Sequence, residues 1–437
     1  MRRVGQLFRF SLSPRHFGVL AIVILVGCGQ VAEEEAAPEA AAAPTDNEGL
    51  DPASIAALER ISTLGYVDVS SEPARPAQMG VTVFDETRSY PGYNLYTRRK
   101  DASAELIDAR GRVVHRWHQE EDLAWVRAVL LADGDLLVVG AETWSSEANS
   151  KRTAPRFAMR LNWENEIVWK RPLSAHHDIV MTPDNRIGVL TVKGRQPPDG
   201  PPSAIVVEDH VTILSGDGEI EDERSLEQML RARPDIYTLR PPGKGRRAWD
   251  PLHSNSLRWL SDEALAAKDP IYALGNIIVC FRYQNSVAIF DWDNQEVVWT
   301  WGRGDIIQPH DAVVLDSGNI LIFDNGVKRG WSRVVELDPL TREIVWEYKA
   351  PKPRGFYTGA RGANQRLPNG NTLISESNKG RAFEVTLDGD IVWEYFVPYL
   401  SPKGHRQVII RLYRYETDLV EKLLNGAPKP AVSPEAS

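Results

Sequence analysis

The 437-residue chain contains only two cysteines, Cys28 and Cys280. Two thiols that far apart cannot build a disulfide framework, so the fold must rest on packing. Long apolar runs are also scarce: the stretch Phe17 to Val26 is the longest, and it is too short to span a bilayer. Positive charge is in deficit, with 51 Lys and Arg against 60 Asp and Glu and a formal net charge of −9. That balance argues against general nucleic-acid binding. What remains is ordinary globular composition, 42% hydrophobic and 25% charged, punctuated by 32 Gly and 29 Pro. Such a chain has ample material for a large core, and disorder throughout is excluded.

The first residues read as an address. Arg2, Arg3, Arg9 and Arg15 accompany the apolar run with no acid before residue 28, the pattern of a signal peptide. The run closes on Leu25-Val26-Gly27-Cys28, which resembles the lipobox of bacterial lipoproteins, where the cysteine is lipidated and becomes the mature N-terminus. Gly29 after it, by resemblance to lipoprotein sorting signals, favours the periplasmic side of the outer membrane. The alternative is a conventional signal peptide cleaved nearby, and both readings export the protein. The Ala, Glu and Pro stretch Val31 to Asp46 reads as a flexible tether. The expected organisation is a lipoprotein-type signal peptide over 1–27 and a tether over 28–48. A helical lead-in over 49–78 follows, with its helix at Asp51 to Leu64. The main domain occupies 79–417 and a tail 418–437.

A motif of Asp, a short gap, Gly or Asn, a β-branched pair and Trp recurs at Ile107 to Trp117, Leu161 to Trp169, Phe290 to Trp299, Leu337 to Trp346 and Val385 to Trp393. Trp299, Trp346 and Trp393 are evenly spaced, 47 residues apart, which is a propeller-blade period. A sixth copy, Ile213 to Glu221, keeps the turn but lacks the Trp. Hairpin signatures alternate with these copies, at Leu130 to Val139, Val180 to Val192, Val313 to Phe323 and Gln365 to Ser375. Each unit thus offers about four strands, and one such sheet cannot cover its own apolar faces. The expected fold is all-β, a six-bladed β-propeller with a short N-terminal helix and a helical insertion near Ser225 to Arg233. Val408 to Tyr415 is expected to close the ring, and the repeated Trp to fill space between blades.

Counting back from the hairpin turns puts His177 and His310 each eight positions before Asn185 and Gly318, at the start of a first strand, and His253 begins the next such strand. The equivalent position holds Val126 in an earlier unit and Gly362 in the last, so the repeat itself does not demand histidine. First strands line a propeller's channel, so three imidazoles are expected around one opening. His176 is expected on the opposite strand face. Arg282, after the apolar run Ile277 to Phe281, adds a planar cation suited to the oxygens of phosphate or sulfate.

With these residues in view, the chain resembles the bacterial arylsulfotransferase family, enzymes that move a sulfuryl group between phenols without nucleotide donors. The likeness covers residues 91–415. It is carried by Gly92-Tyr93-Asn94-Leu95-Tyr96 before Leu106-Ile107-Asp108, by His177-Asp178, His253-Ser254-Asn255-Ser256, Phe281-Arg282-Tyr283-Gln284 and Gln308-Pro309-His310-Asp311. The resemblance implies that His310 is the nucleophile and forms a transient sulfohistidine, while His177, His253, Asn255 and Arg282 hold the sulfuryl oxygens. It implies a small-molecule aryl sulfate and a phenol as substrates and no cofactor; the imidazole chemistry requires no metal, and the lipobox implies a membrane link through lipidated Cys28 alone. Two other readings stay open. One is a quinoprotein-type or non-catalytic assembly propeller, since the Asp, Gly, Trp repeat is fold chemistry. The other is a metal-dependent hydrolase or lyase with the imidazoles on zinc.

Overall fold

Each copy of the Trp motif folds as the outer hairpin of a four-stranded antiparallel sheet, and six such sheets follow one another along the chain. The computed structural model describes residues 69–426 apart from 99–100, 143–155, 197–204 and 241–247. The signal peptide, Cys28, the tether, the helix expected at 51–64 and the Pro and Ala tail from 427 lie outside the described residues.

Blade 1 comprises Tyr93–Arg98, Ser103–Ile107 and Val113–His118, with Ile409–Tyr415 as its innermost strand. Blade 2 runs Asp122–Leu130, Leu136–Glu142, Arg156–Leu161, Ile167–Pro172, and blade 3 runs Ala175–Met181, Ile187–Arg195, Ile205–Leu214, Ile220–Ser225. Blade 4 is Ser254–Trp259, Ile277–Phe281, Ser286–Asp291, Glu296–Trp301, and blade 5 is His310–Val314, Ile320–Asp324, Arg333–Asp338, Glu343–Tyr348. Blade 6 is Ala363–Arg366, Thr372–Glu376, Arg381–Val385, Ile391–Phe396, widened by Gly80–Phe84 on its outer edge. The ring is therefore closed by strands from both ends of the described chain.

Middle strands read as unbroken apolar runs because a blade is covered on both faces; all five residues of Ile277–Phe281 are buried. Six apolar clusters result, each shared by two successive blades. Trp117 meets Phe157 between blades 1 and 2, Leu137 shares a cluster with Ile187, and Val211 with Phe290. Ile289 clusters with Ile322, Phe323 with Phe383, and Trp393 with Tyr96 where the ring closes. Burying one such large side chain stabilises the fold by about 1.5–3 kcal/mol.

The motif's polar parts have their own reasons. Asp108 Oδ1 accepts the N–H groups of Arg110 and Arg112, both at 2.9 Å, and fastens the outer turn of blade 1. The next turn position is left-handed, which Gly111, Gly218, Gly389 and Asn165 adopt readily and Gln295 and Arg342 adopt under strain. Each Trp indole then donates to a carbonyl in the outer turn of the following blade. Trp117 reaches Asn162 at 3.0 Å, Trp169 reaches Gly216 at 2.9 Å, and Trp299 reaches Pro339 at 3.1 Å. Trp346 reaches Leu387 at 2.9 Å, and Trp393 reaches Ala109 at 2.8 Å to close the ring. Trp117, Trp299 and Trp393 are buried, whereas Trp169 and Trp346 are half-buried. In blade 3, which lacks the Trp, Arg224 donates to the Trp292 carbonyl and lies 4.3 Å from the centre of its ring.

The helical insertion is Leu226–Ala232, capped by Ser225, whose side chain accepts the N–H of Gln228. Three features depart from the sequence expectation. Within the expected helical lead-in over 49–78, Val69–Pro73 is a strand paired antiparallel with His405–Gln407. A further helix, Glu263–Ala266, and the 3-10 turn Pro270–Tyr272 replace the short hairpin turn of blade 4. Where the tail was expected from residue 418, Thr417–Gly426 is a helix. Its Val420, Leu423 and Leu424, at helical spacing, pack on the cluster between blades 1 and 2. Among the described residues, no helix is long and apolar enough to cross a membrane.

Candidate active site

The six first strands surround an axis that is polar, unlike the spaces between blades. Counting four residues back from the strand pairs Met181↔Ile187, Trp259↔Ile277 and Val314↔Ile320 aligns His177, Asn255 and His310 on blades 3, 4 and 5. This corrects the expected register: His253 lies two residues before that position, and Asn255 occupies it. The reason is the insertion in blade 4, which removed the turn from which the count could be made. The same position in blade 6 is Gly362, where a Cβ would come within 2.6 Å of the Phe323 ring.

His253 nonetheless joins the group. Its ring centre is 5.0 Å from that of His177 and 4.7 Å from that of Tyr283. His177 and His253 both sit at positive φ, 57° and 51°, strained for residues with a side chain. His176 does not face away from His177 as strand alternation would have it; their Nδ1 atoms are 2.8 Å apart. A register shift between Ala175 and Ile179 breaks the alternation there.

Arg282 directly follows the second strand of blade 4, and its backbone N–H donates to the His253 carbonyl at 3.3 Å. Its guanidinium bonds to Tyr283 Oη at 3.2 Å and to the Gly359 carbonyl at 3.4 Å, while its buried Nε has no partner. Asn255 Nδ2 donates to the Pro309 carbonyl at 2.8 Å, and its Oδ1 is buried without a partner. His310 is buried; its Nδ1 lies 2.6 Å from Asn325 Oδ1 and 3.2 Å from the Gln308 carbonyl, and its Nε2 is unpartnered.

Burial keeps these imidazoles uncharged. It pushes His310 well below the ordinary histidine range, with Arg282 adding to the effect. Burial likewise lowers His177, helped by its three histidine neighbours, and brings His253 down to about 3, helped by Arg282 and Arg156. The His177 and His253 rings are neighbours, Arg282 is bonded to the His253 backbone, and Asn255 is bonded to the carbonyl preceding His310, so these residues meet at one site.

One residue further along the strands lies a charged layer that sequence reasoning did not foresee. Asp178 accepts bonds from Arg127 at 2.8 Å, Arg258 at 2.6 Å and Arg411 at 3.1 Å, the last reaching across the axis from the closing strand. Asp311 takes Arg258 at 3.1 Å and both its oxygens take Tyr413 Oη at 2.7 Å. Burial alone would raise Asp178, but Arg258, Arg411 and Arg127 outweigh it and hold the carboxyl below the usual range. Asp178, Ser256 and Asp311 also accept the backbone N–H of Leu257, Ala312 and Asn364 in the next blade. These bonds lock blades 3 to 6 in register beneath the histidines.

Two further groups escaped the sequence reading. Asp250 Oδ2 is 2.6 Å from His253 Nδ1, and its Oδ1 accepts the His253 backbone N–H at 2.9 Å. Burial raises Asp250 to about 7. Asn325 directly follows the second strand of blade 5, and only its contact with His310 marks it. The Asp-Pro-Leu-His spacing was a usable signal for Asp250; nothing in the sequence singles out Asn325. Among the described residues, no group of three or more His, Cys, Asp or Glu is arranged to hold a metal ion.

The molecule is a six-bladed β-propeller with neutral histidines, an asparagine and an arginine gathered at its axis. A family model described as arylsulfotransferase (ASST) matches residues 157–397, more than half of the sequence and all the residues just described except the closing strand and the start of the ring. The chain belongs to the arylsulfotransferase family, whose membership implies small-molecule aryl substrates. No curated protein matches it. Among solved structures it is similar to a protein of unknown function from Bacteroides caccae, at 13% identity and TM-score 0.46, over 74% of this chain and 98% of that one. It is similar to virginiamycin B lyase from Staphylococcus aureus at 14% identity and TM-score 0.39, over 77% and 89% of the two chains. For the β-propeller domain of Cps50 from Myceliophteria thermophila the values are 9%, 0.43, 78% and 99%. At these identities the likenesses bear on neither substrate nor chemistry.

Proposed function

We propose that the protein transfers a sulfuryl group from a phenolic sulfate ester to a phenolic acceptor, with His310 as the covalent intermediary. The observation that carries this reading is His310 itself: a buried, neutral imidazole with an unpartnered Nε2, lowered in pKa by burial and by Arg282, in a chain of the arylsulfotransferase family. The Nε2 lone pair forms a bond to sulfur as the bond from sulfur to the aryl oxygen breaks, and the donor leaves as phenolate. An acceptor phenol then attacks the same sulfur, the N–S bond breaks, and the phenolic proton is released. Splitting the transfer this way lets one aryl group leave before the next enters. Arg282, Asn255, His253 and His177 supply the polar groups that hold the sulfuryl oxygens, and one such electrostatic donor typically contributes about 10²- to 10³-fold in rate. The leader belongs to the same proposal: acylation at Cys28 would hold the enzyme to the periplasmic side of the outer membrane, and labelled palmitate on the full-length chain, lost in Cys28→Ala, tests it.

The decisive experiment follows transfer from 4-nitrophenyl sulfate to phenol without added nucleotide. Wild-type protein is expected to turn over with ping-pong kinetics and to yield a labelled peptide containing His310 when the acceptor is withheld. His310→Ala is expected to lose both activities and keep its melting temperature. Turnover unchanged in that variant would overturn the assignment.

A further inference from the structure

We infer that Asn325 is a positioning residue that fixes the tautomer of His310, so that Nδ1 carries the proton and Nε2 alone presents a lone pair. The inference rests on the sulfotransfer reading for its consequence, and on hydrogen-bond geometry for its substance.

An asparagine amide can present either its oxygen or its NH2 to a neighbour, and surrounding partners decide which. Asn325 Nδ2 lies 2.8 Å from the Thr358 carbonyl and 2.6 Å from the Arg361 carbonyl. Both are acceptors, so the NH2 must face them and Oδ1 must face His310. Nδ1 of His310 then meets two oxygens, Asn325 Oδ1 at 2.6 Å and the Gln308 carbonyl at 3.2 Å. Neither can donate, so a lone pair at Nδ1 would be repelled by both. The proton of a neutral ring therefore belongs on Nδ1. Thr358 is itself held, since its N–H donates to Ser332 Oγ at 3.0 Å and its hydroxyl donates to the Ala360 carbonyl at 2.8 Å, so the lock does not depend on one mobile group.

The arrangement also suits the charge that develops. When Nε2 bonds to sulfur the ring keeps its Nδ1 proton and becomes cationic, and no proton has to leave His310. The bond to Asn325 Oδ1 then becomes charge-assisted and strengthens as the reaction proceeds. An uncharged amide oxygen suits both halves of the cycle. A carboxylate there would hold the free ring as unreactive imidazolium and overstabilise the sulfated one.

The test needs no variant at first. In full-length protein labelled with 15N-histidine, with His310 assigned by its absence in His310→Gln, Nδ1 is expected to show the shift of a protonated nitrogen and Nε2 that of an unprotonated one. The reverse pattern overturns the inference whether or not the protein transfers sulfate; absence of sulfated His310 peptide overturns the sulfotransfer reading and leaves the tautomer result standing. Two variants then read the consequence. Asn325→Ser is expected to mix the tautomers and lower kcat about 10- to 100-fold with KM little changed, the usual size of an effect from a group behind the reacting one. Asn325→Asp is expected to move the acid limb of the kcat/KM profile to higher pH. If Asn325→Ser keeps the wild-type nitrogen shifts, Asn325 does not set the tautomer.

Discussion

His253 Nδ1 stands 2.6 Å from Asp250 Oδ2, and the other oxygen of that carboxyl accepts the backbone N–H of the same histidine. Burial drives both groups toward their neutral forms, Asp250 up to about 7 and His253 down to about 3. Below pH 7 the carboxylic acid donates to Nδ1, and His253 offers Nε2–H to a sulfuryl oxygen or a departing phenolate. Above it the carboxylate accepts Nδ1–H, and Nε2 has only a lone pair. The first half-reaction, followed as the burst of nitrophenol, is therefore expected to slow as pH rises through about 7 in wild type. Asp250→Asn, whose amide NH2 can donate to Nδ1 as the carboxylic acid does, should keep about the low-pH rate and lack that dependence. A wild-type burst rate flat from pH 5.5 to 8.5 would contradict it.

Stability should fall with acid. His176, His177, His253 and His310 are held neutral by burial, so their folded pKa values lie below the unfolded value of about 6.5. Their contribution is complete above that pH and is lost as pH drops towards their folded values. Asp209 and Asp250, raised by burial, act the opposite way: their contribution is complete below about 3.8 and fades as pH climbs. Four groups outweigh two, and the melting temperature should decrease steadily from pH 6.5 to pH 4. A melting temperature rising over that interval would refute the balance.

Asp178 is the keystone of the charged layer. Replacing it with Ala leaves Arg127, Arg258 and Arg411 without their common partner, and breaking a buried pair from one side costs about 3–5 kcal/mol. Urea unfolding of Asp178→Ala is expected to show a loss of that size; a loss under 1 kcal/mol would mean that water or Asp311 compensates.

Trp393→Phe removes the indole N–H that donates to Ala109 and keeps most of the buried ring. A cost of about 1–2 kcal/mol is expected in urea unfolding, most of it from the lost bond and vacated volume. Transfer activity should be unchanged, because the outer hairpin is remote from the axis; a loss of activity in a stably folded variant would contradict that separation.

The blade count and the outer hairpins were legible because their chemistry is local: an Asp cap, a left-handed turn residue and a Trp recur at fixed spacing. The places of His177 and His310 were legible because each precedes an inner hairpin turn by eight residues, and that of Arg282 because it follows the apolar run Ile277 to Phe281. His253 was assigned two residues too far along, since the segment after Trp259 has no short hairpin turn to count from. Asn325 and Arg411 were invisible for a different reason. Each acts through a partner on another part of the ring, His310 for one and Asp178 for the other, and no local pattern records such a meeting. The helix Thr417–Gly426 was hidden by the Pro and Ala that follow it, although Val420, Leu423 and Leu424 carry its apolar stripe.

Blade 1 pairs Tyr93 with Tyr415, two residues at opposite ends of the described chain. During synthesis the edge of Tyr93–Arg98 therefore emerges ahead of blades 2 to 5 and waits, unpaired, until Ile409–Tyr415 has followed them. Its sheet is the last of the six blades to be finished, and a nascent chain stopped short of Ile409 would carry an open strand edge free to recruit a neighbour.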